Sequence, residues 1–176
     1  MTGPGSLDWR AEVRDLVAAP VATALAAWPR GPEVLAAPID PDLADTAAFC
    51  ARYGVELADS ANCVVIAGRR GDHTSYAACV VLAPTRADVN GVVRRRLGAR
   101  KASFAPMDDA VTLSGMEYGG ITPIGLPASW PVLIDAGVLA RAIVVIGSGV
   151  RRSKLALPSA ALADLPGAEV VDGLAS

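Results

Sequence analysis

Residues 98–127 read GARKASFAPMDDAVTLSGMEYGGITPIGLP. Lys101–Phe104 is expected to form a short strand. Met107–Leu113 is expected to form a short helix, with Asp108 and Asp109 placing negative charge at its positive end. Ser114-Gly115 would end that helix. Gly119, Gly120 and Gly125 then alternate with Pro123 and Pro127. Paired glycines let a ligand approach bare backbone, whereas the prolines stiffen the chain and push the residues before them toward extended geometry. A segment that is permissive at one end and rigid at the other can fix N–H and C=O groups around a small polar ligand. A plain surface connector is the other reading of these residues.

Before this stretch, Cys63–Ala67 and Ser75–Leu82 read as two strands of a hairpin, joined through Gly68–Asp72. Upstream, Leu7–Ala19 carries Trp9, Val13, Leu16 and Val17 at helical spacing, and Pro20 would break that helix and restart it over Val21–Trp28. Met1–Ser6 is expected to be loose. Glu33–Ala37 suits a strand, and Asp45 or Thr46 can cap a helix over Ala47–Tyr53 that Gly54 stops. Arg86–Leu97 reads as a helix. Downstream, Pro131–Ile134, Ala142–Ile146, Lys154–Leu157 and Glu169–Val171 read as strands, with a turn at Gly137–Ala140 and a helix over Pro158–Leu165. Strands and helices follow each other irregularly, which indicates α+β rather than a doubly wound order. The expected organisation is an N-terminal helical extension (1–32) and one domain (33–176).

The 176 residues suit one domain of ordinary size, and 52% hydrophobic against 19% charged residues argues against disorder. A net charge of −2 implies no nucleic-acid partner by itself, so any such contact needs a local basic patch. Cys50, Cys63 and Cys79 are odd in number and widely spaced, which argues against a disulfide framework or a metal site. No apolar run is long enough for a membrane span, and the N-terminus lacks the pattern of a signal peptide. A cytoplasmic protein is expected. The sole histidine, His73, falls in the expected hairpin turn, so a Ser-His-Asp arrangement has no support.

The segment Gly115-Met116-Glu117-Tyr118-Gly119-Gly120-Ile121-Thr122-Pro123-Ile124-Gly125 resembles the signature loop of the YbaK/ProX family, the freestanding aminoacyl-tRNA deacylases related to the editing domain of bacterial prolyl-tRNA synthetases. The family's Gly-x-x-x-Pro pattern falls on Gly119 to Pro123. Leu97–Lys101 upstream, and Val132–Asp135 and Ile146–Gly149 downstream, fit in order, so the resemblance spans roughly Glu33 to Asp172. It implies a mixed, largely antiparallel, barrel-like sheet with flanking helices. The implied activity is hydrolysis of the ester of a mischarged tRNA, with no cofactor and no metal.

Under this resemblance the catalytic segment is Gly119, Gly120, Ile121, Thr122 and Pro123, acting through backbone groups that polarise the carbonyl. Many members carry a lysine where this chain has Asn62. Asparagine is neutral and both donates and accepts, so a polarising role survives and a charge-based one does not. Asn62 as a strand-entry residue stays open, as does loss of activity with retention of tRNA or aminoacyl-ligand binding. Asp135, Gly147, Ser148, Gly149, Met116 and Tyr118 are implied pocket residues, with an Asx turn at Asp135-Ala136-Gly137 as the local alternative. Basic residues cluster at Arg94, Arg95, Arg96, Arg100 and Lys101, and again at Arg151, Arg152 and Lys154. Of these, Arg95, Arg96, Arg100, Lys101, Arg151 and Arg152 are the expected phosphate contacts to the tRNA acceptor end. The sequence leaves open whether the chain is a monomer or a homo-oligomer.

Overall fold

The computed structural model describes residues 3–176. Met1 and Thr2, part of the stretch expected to be loose, lie outside the described residues. From the N-terminus, a turn of 3-10 helix at Arg14–Leu16 leads into α1 (Ala19–Ala27), which carries Pro20 in its first turn where a missing N–H costs nothing. The helix expected over Leu7–Ala19 is otherwise absent. Arg10 instead exchanges backbone hydrogen bonds of 2.8 and 2.9 Å with Ala36, so the segment is extended along β1 (Leu35–Pro38). Helix α2 (Thr46–Tyr53) starts at Asp45, whose carboxylate accepts from the Ala47 and Ala48 amides, and ends at Gly54.

Strands β2 (Ala61–Arg70) and β3 (His73–Leu82) form a long hairpin. Their ladder runs to Arg70 opposite His73, so only Gly71 and Asp72 make the turn. The apolar runs mark the buried half of this hairpin; backbone pairing continues beyond them through its polar half to Arg70 and His73. Residues Val89–Val93 form a π-helical turn that runs into α3 (Arg94–Arg96). The edge strand β4 (Lys101–Phe104) and helix α4 (Met107–Ser114) occupy the expected positions. The remaining elements are β5 (Val132–Asp135), α5 (Ala136–Leu139) in place of the expected turn, β6 (Ile143–Gly147), β7 (Ser153–Pro158), a 3-10 segment at Ser159–Asp164 in place of the expected α-helix, and β8 (Ala168–Val171).

The strands make two sheets, ordered β1-β7-β6 and β4-β2-β3-β5-β8. Pairing is antiparallel except for β3-β5 and β5-β8, which are parallel. The architecture is α+β, mixed and largely antiparallel, as expected, but the described strands close no barrel: among the described residues the two sheets share backbone pairing at one isolated bridge, Ser60 to Val145. The main core fills the space between them. Val21 and Leu25 of α1 and Trp28 just after it pack there with Ile134, Ile146, Leu155, Leu157 and Leu162. Segment 1–32 thus contributes part of this core. Beyond Ser60 the first residues of β2 separate from β6 and β7, and the gap between them is the site described next.

Candidate active site

A cleft of about 490 Å³ opens between the sheets. Asn62, Cys63, Val64 and Val65 of β2 line it on one side, Gly147 and Lys154 of β6 and β7 on another. Ala44, Asp45 and Thr46 at the start of α2 form a third wall; Tyr118, Gly119 and Ile121 of the glycine-rich loop form a fourth, with Phe104 and Arg151 beside them. Of the loop residues singled out by sequence, Gly119 and Ile121 therefore face the cleft. Gly120 and Thr122 are buried, and Pro123 lines a separate, more apolar cavity of about 410 Å³ with Trp28 and Trp130.

The loop is held by a second loop, 147–151. Glu117 N donates to Gly149 O (2.9 Å), Gly149 N to Gly120 O (2.7 Å), and Arg151 N to the Glu117 carboxylate (2.6 Å). Gly120 N closes the turn on Glu117 O at 2.9 Å. Two contacts explain the small residues. A Cβ on Gly120 would sit 2.6 Å from the Val150 backbone, and one on Gly147 would sit 2.5 Å from Gly120 O and 2.6 Å from Ile121 O. Gly119 has φ +84°, a left-handed value that an L side chain rarely adopts. Among the described residues, neither the Gly119 nor the Ile121 amide finds an acceptor.

The remaining pocket candidates stand behind this surface. Met116 is buried in the main core. Ser148 is fully buried; its hydroxyl shares 2.7 Å with Ser153 Oγ, and its carbonyl accepts from Ala18 N. Gly149 lies against Ala18 and Val21 of the α1 segment. Asp135 is away from the cleft: its carboxylate accepts from Gly137 N (2.9 Å) and from Ala175 N (3.0 Å), capping α5 and tethering the C-terminal segment. Thr122 Oγ1 is buried without a partner among the described residues.

Asn62 does face the cleft, and its Oδ1 accepts a 2.7 Å hydrogen bond from Thr46 Oγ1, which leaves its amide donor for a ligand. Lys154 is the residue that sequence reasoning misplaced by grouping it with surface arginines. It is 6% exposed, donates from Nζ to Ala44 O at 2.9 Å, and lies 5.1 Å from the centre of the Phe49 ring. Burial pulls its ammonium down to about 8, opposed by the nearby Cys50 and Asp45 and reinforced by Arg151. The available signal was its placement inside Ser153-Lys154-Leu155-Ala156-Leu157, an apolar strand in which a lysine is out of place. Burial raises the Cys63 thiol well above its ordinary range, so its presence at the cleft wall offers no thiolate at neutral pH.

The expected phosphate contacts divide into two groups. Arg151 is at the rim, where it reaches Pro41 O (2.9 Å) and Tyr118 O (3.4 Å), and Arg152 reaches Asp15 O (3.2 Å). Arg95, Arg100 and Lys101 are exposed around the outer end of β2 and β4, whereas Arg96 is paired with Glu169. Lys101 stands opposite Arg69 in the β2-β4 ladder, and Arg70 donates to Gly98 O (3.1 Å). Arg69 and Arg70 were not singled out by sequence, yet they complete this basic edge. Strand β4 runs from it toward Phe104, which is 64% exposed at the cleft; Tyr118 is 60% exposed across the mouth.

A model of the aminoacyl-tRNA editing domain family matches residues 40–165. No curated protein matches the chain. Solved structures share its fold. A candidate trans-editing enzyme for prolyl tRNA synthetase is 22% identical with a TM-score of 0.74, the match covering 87% of this chain and 93% of that one. A scaffold protein from computational epitope grafting is 22% identical with a TM-score of 0.75 (88% and 95% covered), and a hypothetical protein is 22% identical with a TM-score of 0.67 (79% and 86%).

Proposed function

Because the chain belongs to the aminoacyl-tRNA editing domain family, we propose that its cleft admits the aminoacylated 3′ end of tRNA and hydrolyses the ester joining amino acid to terminal adenosine. One observation carries this reading. Gly119 and Ile121, whose backbone amides find no acceptor among the described residues, line a cleft of about 490 Å³ together with Asn62 and a buried lysine. That volume suits a small amino acid with its ribose. Such an ester is already activated, so oriented donors and a positioned water suffice for hydrolysis.

In this reading Gly119 and Ile121 face the ester, and Gly120, Thr122 and Pro123 set the curvature of the loop from behind. Met116, Gly147, Ser148 and Gly149 hold that loop in place, and Asp135 secures the strand ends beneath it. Tyr118 and Phe104 offer exposed rings on which the terminal bases stack. Arg151 lies nearest the terminal phosphate, and Arg95, Arg100 and Lys101, with Arg69 and Arg70, attract the acceptor stem. Arg96 and Arg152 would first have to leave the partners they already hold.

The test is deacylation of a panel of mischarged tRNAs, beginning with alanyl-, seryl- and cysteinyl-tRNA because the cleft is small. Faster loss of amino acid from at least one of them is expected. A second reading, a family member that binds tRNA ends without hydrolysis, is favoured by the engagement of Asn62 with Thr46. Saturable tRNA binding with no turnover on any substrate would select it.

A further inference from the structure

Lys154 is a buried cation that has no counterion among the described residues. Among the described residues no carboxylate lies within ion-pair distance of it. The nearby Asp45 carboxylate already accepts from two amides at the start of α2. An ammonium has three N–H donors. The Ala44 carbonyl takes one and the Phe49 ring is close to the charge, but no other acceptor is present among the described residues. An unpaired buried charge is costly, and a fold retains one where something else compensates for that cost.

The strand geometry aims this charge. Lys154 stands in register between Ala37 of β1 and Gly147 of β6, two residues with almost no side chain, so its stem has room beside both. Gly147 in turn touches the carbonyls of Gly120 and Ile121. The lysine and the glycine-rich loop thus meet across one residue and open onto the same cleft.

We propose that the Lys154 ammonium is the group in this cleft that holds the oxyanion formed during ester hydrolysis, a role that rests on the deacylase reading above. Water adds to the ester carbonyl carbon and gives up a proton to solvent, while the carbonyl π pair becomes an oxyanion against the ammonium. The carbonyl re-forms, the bond to the ribose oxygen breaks, and that oxygen takes up a proton. The products are free amino acid and tRNA with its hydroxyl restored, and no further reactant is needed. The charge that Asn62 lacks is in this way supplied from a different strand.

The experiment combines single-turnover deacylation with binding of a non-hydrolysable analogue, a 3′-aminoacylamino-3′-deoxyadenosine, to the full chain. Lys154→Met should lower the rate at least 100-fold and leave analogue affinity within about threefold, because the neutral amide carries no oxyanion. Unaltered rate in a folded Lys154→Met protein overturns the proposal and leaves the deacylase reading standing. The unaltered protein provides a test independent of that variant's folding. After subtraction of spontaneous hydrolysis, its rate should be level up to about pH 8 and fall above it, as the ammonium loses its proton. The groups facing this ammonium are Asp45 and Cys50 from α2 and Arg151 from the turn before β7. A rate that instead rises to a plateau through that range assigns the work to the neutral amine and overturns the oxyanion role. Neither turnover nor analogue binding by the unaltered protein overturns both readings together.

Discussion

Gly147 packs against the glycine-rich loop with no room for a side chain. Its hydrogen faces the carbonyls of Gly120 and Ile121, and a methyl group there would stand 2.5 and 2.6 Å from those oxygens. Backbone cannot yield to such a contact as a flexible side chain can. Gly147→Ala is therefore expected to push the Gly119–Ile121 segment into the cleft, lowering deacylation at least tenfold and stability by about 1–3 kcal/mol. Paired rate and urea-unfolding measurements check this; full activity in the variant would show that the loop position is uncritical. The same residue illustrates what sequence reading reaches. Small residues at 119, 120, 147 and 149 announce a crowded backbone, but which of them faces ligand and which faces protein depends on the fold. Gly119 faces the cleft while Gly120 packs on Val150. Lys154 was illegible for a related reason: lysine is so often a surface residue that its setting in an apolar strand was outweighed by two neighbouring arginines.

Among the elements, α2 carries the cleft wall through its first turn. Asp45 caps it, and Ala44 just before offers its carbonyl to Lys154. Asp45→Ala should cost about 1 kcal/mol in thermal or urea unfolding, the usual value of an N-cap. No loss of stability would mean that solvent or Thr46 satisfies those amides instead. This helix was readable because its cap and its stop are local chemistry, as were β4 and α4. The helix expected at Leu7–Ala19 failed because its determinant is distant. Arg10 pairs with Ala36, and Trp9 donates its indole N–H to Pro4 O at 2.8 Å, so the apolar spacing serves an extended segment instead of a helix. Likewise the hairpin turn is shorter than apolar patterning indicates, since backbone pairing carries the strands past Ala67 to Arg70.

For the whole molecule, a net charge of −2 conceals an uneven surface. Arg69, Arg70, Arg95, Arg100 and Lys101 gather at the outer end of β2 and β4, and β4 leads from them to Phe104 at the cleft. If this edge holds phosphates, tRNA affinity must fall with salt through counterion release. Arg69→Glu with Lys101→Glu should weaken binding and reduce the slope of log K against log salt by about 1–2, with smaller effect on the rate at saturating tRNA. Anisotropy titrations at several salt concentrations measure this, and an unchanged slope would move the tRNA path elsewhere. At this scale the α+β class was legible from the irregular alternation of elements. The division into two sheets was not, because it depends on which strands pair across long separations in sequence, as β1 does with β7.

On the proposed function, the Gly119 and Ile121 amides face an aminoacyl end inside the cleft. Backbone amide NMR during titration with the non-hydrolysable aminoacyl-adenosine analogue addresses it most directly, with the Trp28 indole N–H in the separate apolar cavity as internal reference. Saturable shifts are expected at Gly119, Ile121 and the Asn62 side-chain amide with one common affinity, and a still Trp28 signal. Saturable shifts at Trp28 with Gly119 and Ile121 unmoved would contradict that placement.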